Sequence, residues 1–177
     1  MASLATRLGE THHISVLLRR LRRLGLRDSR DLIAIAVHRG CSHYESAAAG
    51  SEAQDPGRES LRDEDLAVAM LLGERVFDAA SVRCAAQLLS GDNIDLARLT
   101  RLAREERCER VLAHIARAGV AHDETGAERW SELLDSLPAV PIAPEGALPH
   151  WTRFASLTGV RRHLVPELKS VWLRPQR

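Results

Sequence analysis

The chain has 177 residues, 45% hydrophobic and 28% charged, a globular composition that excludes wholesale disorder and suits one ordinary core with at most a small appendage. Its formal net charge of +1 supplies no overall field to drive it onto nucleic acid or an acidic membrane. Of the 25 basic residues only Lys169 is Lys; with so much Ala and Leu, this reads as the codon bias of a GC-rich bacterial genome rather than as Arg-specific chemistry. No stretch reaches the ~20 apolar residues that span a bilayer, and Arg7, Glu10 and His12-His13 interrupt any signal-peptide core. Cys41, Cys84 and Cys108 are odd in number and widely spaced, which reads as reduced thiols in a cytoplasm.

In chain order, a first helix is expected over roughly 12–24. Ile14, Leu17, Leu18, Leu21 and Leu24 share one face, Arg20, Arg23 and Arg27 line another, and Gly25 ends it. Asp28 caps a second helix, with Asp31 in its first turn. Its run Leu32 to Val37 is apolar on every side, which predicts a central helix; the β-branched Ile33, Ile35 and Val37 make a short strand the rival. Residues 45–60, small, acidic and broken by Pro56-Gly57, read as a mobile linker.

Ser60-Leu61-Arg62-Asp63 resembles a capping box for a helix carrying Leu66, Ala69 and Met70 and ending at Gly73. Asp78 caps the next, with Val82, Ala85, Ala86 and Leu89 on one face and Gly91 as its stop. Asp92 caps another, carrying Leu96, Leu99, Leu102 and Ala103. Continuing that stripe would bury Glu106 and Arg110, so a turn is expected near 104–107 before the apolar phase restarts at Cys108, Val111, Leu112 and Ile115. Gly119 ends that helix, and a last one over 124–137 stops at Pro138. Asp31-Leu32, Asp65-Leu66 and Asp95-Leu96 make a faint repeat of helix-pair period, which capping alone also explains.

The fold class expected is therefore all-α, an irregular orthogonal bundle of about six helices, with a Pro-led tail that is non-helical or partly extended. Residues 1–44 form an N-terminal helical pair, 45–60 a flexible acidic linker, and 61–137 a body packed with the pair as one domain. Residues 138–177 form a proline-punctuated linker and a docking tail.

Charge is segregated. Residues 1–27 carry +5, 45–78 carry −6, 121–149 carry −5 and 150–177 carry +5. The segments can compensate within the monomer or across a dimer, or the two basic ends can form one patch for a polyanion. Arg19, Arg20, Arg22, Arg23 and Arg27 are the polyanion candidates, because guanidinium groups along a helix contact successive phosphates; the same run also suits a solvated helix face. A helix-turn-helix is disfavoured, since the second helix would have no polar face with which to read bases. In the tail, Trp151, Phe154 and Trp172 are aromatic anchors suited to docking on the chain's own body or on a partner.

His38, Cys41 and His43 are a weak metal candidate, because a structural zinc site needs four ligands and no second knuckle exists. Glu105, Glu106 and Glu109 interleave with Arg104, Arg107 and Arg110 and read as a salt-bridged surface. There is no phosphate-loop, dinucleotide, nucleophile-elbow or zinc-protease motif, so nothing names an enzyme. No cofactor and no membrane association are expected. The functional expectation is a non-enzymatic helical interaction module that binds a protein partner or itself. The alternatives are a nucleic-acid-associated regulatory protein, using the Arg-rich helix and basic tail, and an enzyme centred on residues 38–43.

Overall fold

A computed structural model describes residues 15–72, 79–143, 145–148 and 172–176. Among them are eight α-helices and no β-strand. The helices are α1 (Val16–Arg23), α2 (Ser29–His38), α3 (Glu45–Ala48), α4 (Asp63–Leu71), α5 (Ala79–Leu89), α6 (Leu96–Glu106), α7 (Glu109–His122) and α8 (Ala127–Ser136), with a 3₁₀ turn at Ser42–Tyr44. The protein is thus an all-α bundle, and no described helix is long and apolar enough to cross a membrane. The count exceeds the expected six partly because α3 opens the segment read as a linker.

Local chemistry starts each helix. Ser15 caps α1, its Oγ accepting the Leu18 N–H at 2.9 Å. The next orphan donor, the Leu17 N–H, is taken 2.8 Å away by Glu106 Oε1 from the end of α6. Asp28 caps α2 through the N–H groups of Arg30 and Asp31, at 2.9 and 3.1 Å. The segment is helical, and the rival strand is not formed. α4 starts two residues after the expected cap: Arg62 is its N-cap, and its N–H donates to Asp65 at 3.3 Å. α6 is capped by Asp95 rather than Asp92, the Asp95 carboxylate accepting the Arg98 N–H at 3.0 Å. The Asp-Leu pairs accordingly do not keep register. Asp31 and Asp65 each sit three residues past a cap, whereas Asp95 is itself the cap. The caps expected at Asp78 and the stop at Gly73 lie outside the described residues.

Two expectations about interior packing are corrected. The helix buried all round is α4, whose nine residues are all buried, and not α2, where Ala34 and Val37 stay half-buried. α4 packs against α1, α2, α5 and α6, while α7 and α8 pair beside α6. Gly119 does not end α7, which continues to His122. It is there because Trp130 of α8 crosses at that point: a Cβ on Gly119 would land on the Trp130 ring. The turn expected at 104–107 is present, and Arg107 makes it by adopting φ +56. Glu106 is nonetheless buried, because it caps α1.

The N-terminus of α4 carries three successive buried acids, and each binds a different piece of chain. Asp63 accepts from Arg39 Nη1 at 2.8 Å and from Arg58 Nε at 3.1 Å. Glu64 accepts the Asp95 N–H at 2.6 Å. Asp65, fully buried, accepts from Arg98 Nη2 at 2.6 Å, and Arg20 stands 3.6 Å away. Arg39 also grips Asp55 with Nε at 2.7 Å and with Nη2, and donates to the Leu61 carbonyl at 2.8 Å. Residues 49–62 contain no helix or strand, as expected of a connector, but the turn at Asp55-Pro56-Gly57 is tied to the body through this arginine. The Gly57 N–H on Asp55 at 2.9 Å shapes the turn. The buried apolar residues, from Leu17 to Trp172, form one cluster.

Two predictions follow from this packing. The hydrogen bonds from Arg39 hold the Asp55 carboxyl below its ordinary range, outweighing the burial that raises it. A depressed pKa contributes stability above the unfolded value, ~3.9, and that contribution is lost as pH falls through the folded value. Asp55→Asn is therefore less stable than the parent at pH 6, and its stability falls less steeply below about pH 4. Urea unfolding from pH 6 to strongly acid conditions checks this, and superimposable acid limbs would exclude linkage at Asp55. For Gly119→Ala, helix propensity favours alanine by up to about 1 kcal/mol, but overpacking against a fixed ring costs about 1–3 kcal/mol. A net loss of stability in urea is expected, and a neutral or stabilised variant would dissociate Gly119 from the Trp130 contact.

Candidate interaction faces

The arginine helix divides as its periodicity implies. Leu17 and Leu21 of α1 face the core, while Val16, Arg19, Arg20 and Arg23, at i, i+3, i+4 and i+7, turn outward. Val16 is 62% exposed and Leu24, at the rim, 38%. Arg19, Arg23 and Arg27 are exposed, and their side chains form no ion pair among the described residues. Arg20 differs: its Nη2 donates to the Ser60 carbonyl and its Nη1 approaches Asp65. Of the five polyanion candidates, Arg20 is thus partly committed to the fold, and Arg22 is exposed beside the free three.

A second face lies where residues 172–176 cross the body. Trp172, only 3% exposed, packs its ring on Trp130 with centroids 5.5 Å apart. Trp130 Nε1 donates to Asp123 at 2.7 Å. Arg174 then clamps the turn between α7 and α8: Nη2 donates to both Asp123 oxygens at 2.8 and 2.9 Å and to Thr125 at 2.7 Å, while Nη1 donates to the Ser90 carbonyl at 2.8 Å. Beside it, Arg129 donates to the Gly91 and Ile94 carbonyls, and its burial pulls its pKa down. Trp172, expected as an anchor on the body or on a partner, is thus anchored on the body. Trp151 and Phe154 lie outside the described residues.

The metal candidate is not assembled. Cys41 is fully buried, His38 is exposed and His43 half-buried, edge-on to Tyr44 with centroids 5.1 Å apart. The cause is local. After Gly40, at φ +108, the Cys41 N–H returns to the Ala36 carbonyl at 2.9 Å and turns the thiol inward, while His38 stays on the outer side of α2. Burial pushes the Tyr44 phenol above its ordinary range, with Cys84 and Cys41 adding to the rise. Among the described residues no three His, Cys, Asp or Glu side chains converge as a metal would require. Glu105 pairs with Arg101 at 3.9 Å on the surface, apart from the buried Glu106. In the Pro-led stretch, Ile142 is 76% exposed, and the Val140 carbonyl accepts from Arg117 at 3.4 Å.

Sequence reasoning missed the residues that organise these faces. Arg39 sits inside the run read for metal ligands, and a lone Arg after a helix carries no signal of burial. Asp123 was legible only as an acid before Thr125-Gly126, a turn-forming context in which the Gly126 N–H returns to Asp123 at 3.2 Å.

Asp123 joins the Trp130 indole to an arginine, so Asp123→Ala removes the acceptor of the indole and leaves Arg174 without its carboxylate. A loss of about 3 kcal/mol in urea unfolding is expected, the low end for a broken buried pair because Arg174 is a third exposed. Tryptophan fluorescence should shift to the red as Trp172 leaves Trp130. Asp123→Asn, which keeps an acceptor for the indole, should lose less; equal losses in both variants would mean that the indole bond contributes nothing. Compared with known protein families, curated proteins and solved structures, the chain matches none.

Proposed function

We propose that this protein is a non-enzymatic helical interaction module that binds an acidic protein surface through the outward side of α1. The observation that carries the reading is the free cationic set Arg19, Arg23 and Arg27 placed beside exposed Val16 and Leu24. Elsewhere several arginines that reach into the bundle are matched to carboxylates, Arg39 to Asp55 and Asp63, Arg98 to Asp65 and Arg174 to Asp123, and Arg129 is taken up by backbone carbonyls. Cations left outside such pairing are available to an external anion, and they steer association through long-range attraction. The apolar residues beside them favour protein over a phosphate backbone, because Val16 and Leu24 gain from burial against apolar groups and gain nothing from phosphate.

Nucleic acid is the competing partner for the same arginines, and one experiment separates the two. A photo-crosslinking side chain is introduced at position 16 or 24 of the full chain in its native cell. The expected product is a crosslink to protein that disappears when Arg19, Arg23 and Arg27 are all changed to Ala. The same triple variant should retain its thermal midpoint, since none of these side chains supports the fold. Crosslinks to nucleic acid, with retention on heparin that falls steeply with salt, would replace this reading with the polyanion one. Crosslinks no more frequent than from an exposed position of α8, such as Glu132, would remove both.

A further inference from the structure

The track occupied by residues 172–176 is built for an extended chain segment. It takes main-chain groups at successive positions: Ser90 Oγ donates to the Leu173 carbonyl at 2.9 Å, Gln87 Nε2 to the Arg174 carbonyl at 2.8 Å, and the Gln176 N–H to the Gly40 carbonyl at 2.8 Å. It takes side chains too, Trp172 on Trp130 and Arg174 on Asp123. Glycines line it where the segment comes closest. A Cβ on Gly40 would strike the Gln176 backbone; one on Gly91 would lie 3.2 Å from the Leu88 carbonyl and 3.4 Å from the Pro175 ring, and one on Gly126 would strike the Asp123 carboxylate that holds Arg174. Main-chain pairing for affinity with side-chain sockets for selection is how folded domains recognise extended peptides. Gln87 is buried in the track, and its Oε1 has no hydrogen-bond partner among the described residues.

Among the described residues, the hydrogen bonds that tie Leu173, Arg174 and Gln176 down come from residues 40–125. The chain is last described before the segment at Leu148, and 23 residues separate it from Trp172. Fully extended, they reach about 75–80 Å, several times the ~16 Å radius of gyration of a compact domain of this length. The groove's chemistry does not distinguish the segment of its own chain from that of another copy.

We infer that this groove is a docking site for the Trp172-Leu173-Arg174-Pro175-Gln176 segment of a second copy as well as of its own, so that two copies pair by exchanging it. The contacts made in cis and in trans are the same. The balance between them is set by the connection and by protein concentration, which makes exchange an inexpensive route to a dimer.

The test uses two full-length variants that differ from the parent at exposed or half-buried positions. Ser42 Oγ and Gln176 Oε1 lie 3.2 Å apart in the structure, so Ser42→Cys and Gln176→Cys are made in separate chains. The three native cysteines are buried and stay out of the reaction. The two variants are unfolded together, refolded as a mixture and oxidised mildly. Within one chain the new thiols have no partner, so a 42–176 link forms only when the tail of one copy lies in the groove of the other. The expected result is a disulfide-linked heterodimer whose yield rises with protein concentration, with the 42–176 bridge identified by peptide mapping. Adding Arg174→Ala to the Gln176→Cys chain should abolish it. A mixture that yields no such link, or the same yield with Arg174→Ala, overturns the inference. Circular dichroism of each variant confirms folding beforehand.

Discussion

Three consecutive carboxylates begin a helix that has no exposed side, and much of the architecture follows from satisfying them. The N-terminus of α4 favours negative charge, but Asp63, Glu64 and Asp65 are all buried, and carboxylates taken out of water persist as charges only when paired and hydrogen-bonded. The partners come from four parts of the chain: Arg20 of α1, Arg39 just past α2, Arg58 of the connector, and Arg98 of α6 with the Asp95 N–H before it. Apolar packing brings α1, α2 and α6 against α4, and it tolerates sliding. Directional bonds to fixed carboxylate oxygens do not. They set where each neighbour begins or ends relative to α4 and give the core one arrangement.

The same device recurs away from that hub. Glu106 reaches the first turn of α1 across 89 positions of sequence, and Asp123 draws the C-terminal segment onto α5 and α8. In each case a carboxylate does what a local cap or a larger apolar interface would do in a bigger protein. This accounts for part of the charge segregation. Acids of the middle segments and arginines from elsewhere meet inside one chain, so compensation within the monomer holds for Asp63, Asp65 and Asp123. It does not extend to Arg19, Arg23 and Arg27.

Helix positions were legible because they rest on local physics. The apolar spacing of α1, α5 and α7, the cap at Asp28 and the break at 104–107 all depend on residues within a turn of one another. Burial was less legible. Leu32 to Val37 and Leu66 to Leu71 are both unbroken apolar runs, and only the tertiary arrangement decides that the second is central. Gly119 reads as a stop in the sequence because a helical glycine normally costs stability, whereas in the fold a ring from α8 occupies the space a side chain would need. As for the sites, the arginine face was visible as a run of residue types, but the diversion of Arg20 to Asp65 depends on a partner 45 positions away. The groove for residues 172–176 rests on Gln87, Ser90, Asp123 and three glycines, each unremarkable in its local sequence.

α1 belongs to both halves of this picture, since its inner side is tied to the hub while Arg19 and Arg23 on its outer side form no ion pair among the described residues. Eight residues are too few to hold a helix in water by propensity alone, so α1 persists through Leu17, Leu21, the Glu106 bond and Arg20. Arg20 is the residue where a partner on the outer side would meet the fold, being half exposed and lying between Val16 and Arg23. Its distance to Asp65 is 3.6 Å, against 2.6 Å for Arg98. A charge contact weakens with distance and with exposure, so Arg98 is the cation that neutralises Asp65 and Arg20 the one that can be drawn away at least cost. A partner of the kind proposed for the outward face of α1 would therefore meet Arg19, Arg20 and Arg23 without dismantling the paired carboxylates beneath them.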